Sequence, residues 1–129
     1  MSTPSLEPSP FFRALADTTR LRCIALLQAE GELCVCELTY ALAISQPKMS
    51  RHLAALRDVG VVADRRTGYW VHYRLHPALP PWAQYVIRDT VAGIADTEPF
   101  AGDAHRLAVM PERPQFTETH SVGTCALPG

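Results

Sequence analysis

The stretch "YALAISQPKMSRHLAALRDVG" constrains the chain most, because it sets two amphipathic helices on either side of a joint with no slack. Before the joint, Val35, Leu38 and Leu42 share one face of a short helix over roughly 34–42. After it, Ser45 is a good N-cap, and Pro47 falls in the first turn, where its missing N–H does no harm. Met49, Leu53 and Leu56 then make one apolar stripe, and Gly60 is placed to end the helix. The opposite side carries Pro47, Arg51, Ala54 and Ala55, flanked by Lys48 and Ser50. Small residues beside a few polar ones let that helix approach another surface closely.

A β-hairpin is predicted next, over "VVADRRTGYWVHYRL". Val71, Tyr73 and Leu75 alternate with Trp70, His72 and Arg74, and Thr67-Gly68 supplies the turn. Upstream, "FFRALA" reads as a helix with Phe11, Phe12 and Leu15 on its apolar side. Asp17 or Thr18 caps the following helix, where Leu21, Ile24 and Leu27 recur at helical spacing, and Gly31 ends it. A last helix over roughly 81–95 offers Trp82, Tyr85, Val86 and Ile94 for burial. Residues 1–9, with Pro4 and Pro8, read as a loose arm and 97–129 as a mobile tail, so that 10–96 is the folded unit.

The formal net charge of −1 hides a local imbalance. Residues 46–75 hold Lys48, Arg51, Arg57, Arg65, Arg66 and Arg74 against only Asp58 and Asp64, an excess of +4 that leaves −5 for the rest. A basic block in an acidic protein is a footprint of phosphate binding. With two helices around a three-residue turn and a basic hairpin, the pattern describes a winged helix-turn-helix, mostly α with a β-hairpin wing (α+β). Its second helix would enter the major groove of double-stranded DNA, and Arg65 and Arg66 would reach neighbouring phosphates. The alternatives are a small α+β domain with a solvated basic face, or a winged module that contacts only protein.

At 129 residues the chain is one domain by length. No run of about 18 apolar residues exists to span a membrane. "MSTPSLEPSP" has neither the basic start nor the apolar stretch of a signal peptide. The expectation is a cytoplasmic protein with reduced thiols, where the pair in "ELCVCELT" points to metal or redox chemistry before a structural disulfide. On an ideal helix Cys34 and Cys36 point about 200° apart and cannot clasp one ion. Either the helix starts after them or binding unwinds its first turn. The second case is a switch, since a ligand needing both sulfurs deforms the helix before the recognition helix. A helix N-terminus also favours thiolates.

In order, "ALADTTRLRCIALL", "GELCVCEL", "SQPKMSRHLAALRDVGVV" and "RRTGYWVHYRL" resemble the ArsR/SmtB family of metal- and metalloid-sensing repressors over roughly residues 10–95. "ELCVCEL" and "WVHYRL" are most similar to its arsenic-responsive branch. The resemblance implies a cytoplasmic homodimer that binds operator DNA when ligand-free and dissociates when inducer binds. It puts Gln46, Lys48, Ser50, Arg51 and His52 on recognition-helix positions. Arg51 is open to guanine or phosphate, and His52 to packing, capping or base contact. The terminal helices, with Phe11, Phe12, Leu15, Trp82, Tyr85 and Val86, would pair across a two-fold axis.

The same resemblance makes Cys34 and Cys36 ligands of As(III) or Sb(III), soft ions that bond thiolates, with no organic cofactor. In enteric-type relatives a third sulfur follows three residues after the second, and here that place is Thr39. Cys23 reads as a core thiol, and Cys125, in "GTCALPG", is the better third ligand, because loop-closure cost grows only logarithmically with length. Glutathione or water can instead complete a two-thiol site, or the inducer is a methylated trivalent arsenical or another thiophilic ion. Cadmium- and lead-responsive relatives add cysteines from an N-terminal arm, yet residues 1–22 contain none. Zinc-responsive relatives use Asp and His on the last helix, which here has Asp89 and Asp96 without histidine. A thiol redox enzyme, for instance an arsenate reductase, lacks both a C-x-x-C and a phosphate-cradling loop.

Overall fold

The computed structural model describes residues 6–114. In chain order the elements are α1 (Pro8–Leu15), α2 (Thr18–Glu30), β1 (Glu32–Cys34), α3 (Val35–Leu42), α4 (Gln46–Val59), β2 (Val62–Thr67), β3 (Trp70–Leu75), α5 (Pro81–Ile94) and α6 (Phe100–Ala108). Among these helices none is long and apolar enough to cross a membrane.

The helix boundaries follow local chemistry. Asp17 accepts the Arg20 amide proton at 2.9 Å and starts α2. Ser45 takes up the Lys48 amide at the start of α4, and Gly60, at φ 97°, closes that helix in the left-handed region glycine favours. Between α3 and α4 only residues 43–45 intervene, and Ala43 itself is left-handed, at φ 56°. Met49, Leu53 and Leu56 are fully buried against a core that includes Ile24, Leu27, Leu38 and Leu42. Lys48, Ser50 and Arg51 are thereby turned to the outside.

The sheet has three strands, in the order β1-β3-β2, all antiparallel. The hairpin is the predicted one, with its two-residue turn one position later, at Gly68 and Tyr69 between the paired Thr67 and Trp70. β1 is new. Three residues, Glu32 to Cys34, leave α2 extended and pair with Arg74, Tyr73 and His72. Trp70 and His72 are as enclosed as Tyr73, so β3 is buried on both faces where strict alternation predicts one.

The expected loose segments are shorter than the sequence suggested. The arm 1–9 gives way to helix at Pro8, because Pro8 and Pro10 sit in a first turn whose N–H groups have no intrahelical partner. The tail 97–129 does not begin at Thr97, since α6 packs onto α2 and α3 through the buried Leu107 and Asp103. Asp103 explains this. It takes hydrogen bonds at 2.8 and 2.7 Å from Arg22 of α2, 81 residues away, and one at 2.8 Å from Arg106. Asp103→Ala strands the Arg22 guanidinium beside the core, and we expect a loss of about 3 kcal/mol, the cost of breaking a buried pair. An unchanged urea midpoint would argue that α6 does not hold the domain together.

Candidate functional site

Two surfaces meet on the α3–α4 pair, one at each end of α3. The outer face of α4 presents Lys48, Ser50 and Arg51, with Gln46 half-buried at its start. His52 is turned inward, its Nδ1 3.7 Å from the Asp17 carboxylate that caps α2. It therefore faces α2 rather than the outer side of α4.

The wing arginines differ from each other. Arg65 is held by Glu32 of β1, its Nη2 at 2.7 Å and its Nε at 2.9 Å, and it also reaches the Thr67 hydroxyl. The guanidinium's hydrogen bonds hold the Glu32 carboxyl below its ordinary range. Arg66 points to the other side of the hairpin, exposed and without an ion pair among the described residues. Tyr69, at the wing tip, is 81% exposed and was not singled out in the sequence.

At the other end of α3, Cys34 is the N-cap residue, extended at φ −82° and ψ 162°, while Cys36 lies in the first turn. The helix starts between the cysteines, and this removes the divergence expected of an ideal helix. The structure joins the two sulfurs directly as a disulfide, with Cα atoms 5.4 Å apart. Cys34 is buried and Cys36 half-buried, so the second thiol is the accessible one. His72 stands across β3 from Cys34, and burial lowers its pKa, leaving a neutral imidazole beside the pair. Thr39, where a third sulfur was missing, donates its hydroxyl to the Cys36 carbonyl at 2.9 Å.

Glu37 was missed, although Cys34-x-x-Glu37 has the spacing of a capping box. Its carboxylate, 3% exposed, accepts the Cys34 amide proton at 2.9 Å. Cys23 is fully enclosed, its sulfur 3.5 Å from that of Met49, and burial pushes its thiol up to about 12. A thiol so hard to ionise is a core side chain. Cys125 lies outside the described residues. Among those described, no group of three His, Cys, Asp or Glu side chains is arranged to hold a metal ion.

The expected pairing face is also redistributed. Phe11 and Leu15 are withdrawn into the chain's own core, because α1 packs across α2 and α4. Phe12 and Tyr85 remain about half exposed and Trp82 38%, with Val86 beside them, while Ala83, Ile87 and Val91 form the inward face of α5. The Trp82 ring lies 5.2 Å from Phe11 and 6.3 Å from Phe12, joining α1 and α5 into one aromatic surface.

A helix-turn-helix with a basic outer face, a β wing and a cysteine pair at the foot of the first helix defines a DNA-binding transcriptional regulator. The model for the bacterial regulatory protein arsR family matches residues 17–64. The chain is 54% identical over 110 residues to the arsenic resistance transcriptional regulator ArsR1 of Pseudomonas putida, covering 85% of this chain and 84% of that one. It is 56% identical over 82 residues to the arsenical resistance operon repressor of Escherichia coli, over 64% of this chain and 70% of that one. Among solved structures, HlyU from Vibrio cholerae superposes with a TM-score of 0.63 at 29% identity, over 74% of this chain and 99% of that one. The chain belongs to the ArsR family, a family of transcriptional regulators rather than enzymes.

The free guanidinium of Arg66 should carry more of the phosphate contact than Arg65. We expect Arg66→Ala to weaken binding to all duplexes and to lower the slope of log K against log salt by about 0.9. Arg65→Ala should cost less, and Arg51→Ala should cost more on operator than on random DNA if it reads a base. Fluorescence anisotropy over a salt series separates the three, and an unchanged slope for Arg66→Ala would remove it from the phosphate contacts.

Proposed function

We propose that this protein is a homodimeric repressor that occupies its operator when ligand-free and releases it when As(III) or Sb(III) is captured by Cys34, Cys36 and a third ligand, Cys125. The observation that carries the reading is the convergence of two sulfurs at the start of α3, one short helix and one joint away from the recognition helix. Once a small-molecule thiol such as glutathione has reduced the disulfide, becoming oxidised itself, the pair offers two soft donors to a soft ion. The chemistry balances without a base. Each As–OH of arsenous acid is replaced by As–S, and the hydroxide leaves with the thiol proton as water.

An ion held by both thiolates fixes the separation and direction of two sulfurs that are independent of each other once reduced, so loading moves Cys36 and the first turn of α3 relative to Cys34. The 43–45 joint carries that movement into α4. An inducer that prefers the moved state shifts the population away from the DNA-competent one. His72 cannot stand in for a third thiolate toward a soft trivalent ion, which favours the sulfur of Cys125. Twelve Cα-to-Cα steps lead from Arg113 to Cys125, enough for up to about 40 Å of extended chain.

Cys34→Ser and Cys36→Ser should each keep operator affinity and abolish release by arsenite. Cys125→Ser should respond only at much higher arsenite, with fewer than three sulfurs per arsenic by X-ray absorption. A Cys34→Ser protein released at the parent's arsenite concentration defeats this assignment. A normal response by Cys125→Ser reduces the site to two thiols completed from solution.

Dimerisation is supported by the outward aromatic surface of Phe12, Trp82 and Tyr85. It would set two recognition helices about one DNA turn apart. Tyr85→Asp should shift sedimentation from dimer toward monomer and weaken operator binding. A parent that sediments as a monomer at micromolar concentration would rule the arrangement out.

A further inference from the structure

Outside the cysteine pair and the basic face, most of the charged side chains that are buried or half-buried converge on one element, α3. An eight-residue helix is too short to hold itself together, and its end groups need partners from elsewhere. At its C-terminus, the Ala41 carbonyl accepts from Arg106 Nε at 2.7 Å and the Leu42 carbonyl from Arg22 Nη2 at 3.1 Å. Asp103, 1% exposed, neutralises and orients both guanidiniums. The two cations also lie where the helix dipole favours positive charge.

The N-terminus of α3 is held from the same stretch of chain. Glu37 accepts the Cys34 amide proton with one oxygen, and its other oxygen accepts from Arg113 Nε at 2.6 Å. Arg113 Nη2 reaches back to Glu30, at the end of α2, at 3.1 Å. Residues 103–113 therefore grip α3 at both ends. The front grip passes through a single carboxylate to the backbone of an inducer-binding cysteine.

We propose that Arg113 is a positioning residue for inducer response: through Glu37 it pins the first turn of α3, and so sets the inducer concentration at which operator is released. This rests on the assignment of Cys34 and Cys36 above. If loading moves Cys36 relative to Cys34, it moves the turn that Glu37 anchors, and part of the inducer's binding free energy goes into loosening the Arg113 contact. Without that contact, release comes at lower inducer. Without inducer, Arg22 and Arg106 still hold the far end of α3, so the ligand-free protein keeps its DNA-competent shape.

The test uses the full chain with Arg113→Gln and Arg113→Lys, read by anisotropy on operator DNA with arsenite as the probe. Arg113 is half-buried at the surface and belongs to no helix or strand, so neither variant should unfold the domain. Arg113→Gln should leave operator affinity without arsenite unchanged and lower the half-release concentration by roughly fivefold, the scale of a partly exposed charged pair. Arg113→Lys, which keeps one charged contact to Glu37, should return most of the way to the parent. An unchanged or higher half-release concentration in Arg113→Gln overturns the proposal, as does a loss of operator affinity without arsenite. Amide hydrogen exchange gives a readout that needs no inducer. Exchange at the Cys34 amide and the first turn of α3 should quicken in Arg113→Gln but not at the helix's far end, and unchanged exchange also overturns the proposal. If arsenite fails to release even the parent, the inducer assignment falls, and the exchange result alone decides whether Arg113 pins the turn.

Discussion

Burial of the Met49, Leu53 and Leu56 stripe is the constraint on which the rest of the molecule depends. A helix cannot turn one face inward without turning the other outward, so these three side chains fix the azimuth at which Lys48, Ser50 and Arg51 meet solvent. The stripe also seats α4 against Leu38 and Leu42, which joins the basic outer face to the helix that carries Cys36. Losing a methylene there would be felt at the basic outer face as well as in stability, because a close-packed interior transmits displacement.

The charged groups of the interior have a different task. Asp103, Glu37 and the guanidiniums around them add little apolar contact, yet they decide where α3 begins and ends relative to α2 and α6. A buried pair of this kind is weak evidence for stability, since desolvation offsets much of the attraction. Its value lies in choosing one arrangement among several of similar apolar burial. Wing and sheet show a smaller version, with Glu32 holding Arg65 beside the strand that ends in Cys34.

What the sequence made legible follows the range of the interactions. The helices α2 and α4, the hairpin and the three-residue joint rest on caps, periodicity and turn residues within a few positions of each other, and each was readable. Cys34 and Cys36 were singled out together, but for metal or redox chemistry before a disulfide, and a disulfide is what joins them in the structure. The strand β1 was not, because three residues carry no periodicity and acquire their conformation from β3. Nor was α6, whose docking depends on Asp103 meeting an arginine 81 positions earlier. The aromatic residues of α1 were recognised as a group. Which of them face inward is set by α2 and α4, across which α1 packs, and no local pattern separates Phe11 from Phe12. The angular argument against the cysteine pair assumed both residues helical, and Cys34 escaped it by being the cap.

The joint at 43–45 gives the fold a mechanical property. With Ala43 already left-handed and Ser45 committed to capping α4, the connection has little freedom to absorb rotation, so α3 and α4 behave as a crank rather than as beads on a string. The fourteen residues of α4 make an arm about 21 Å long. A tilt of about 10° at the joint sweeps the far end of such an arm through about 3.6 Å, more than a whole hydrogen-bond length. A displacement too small to disturb the core near the sulfurs is thereby large on the scale at which bases and phosphates are told apart.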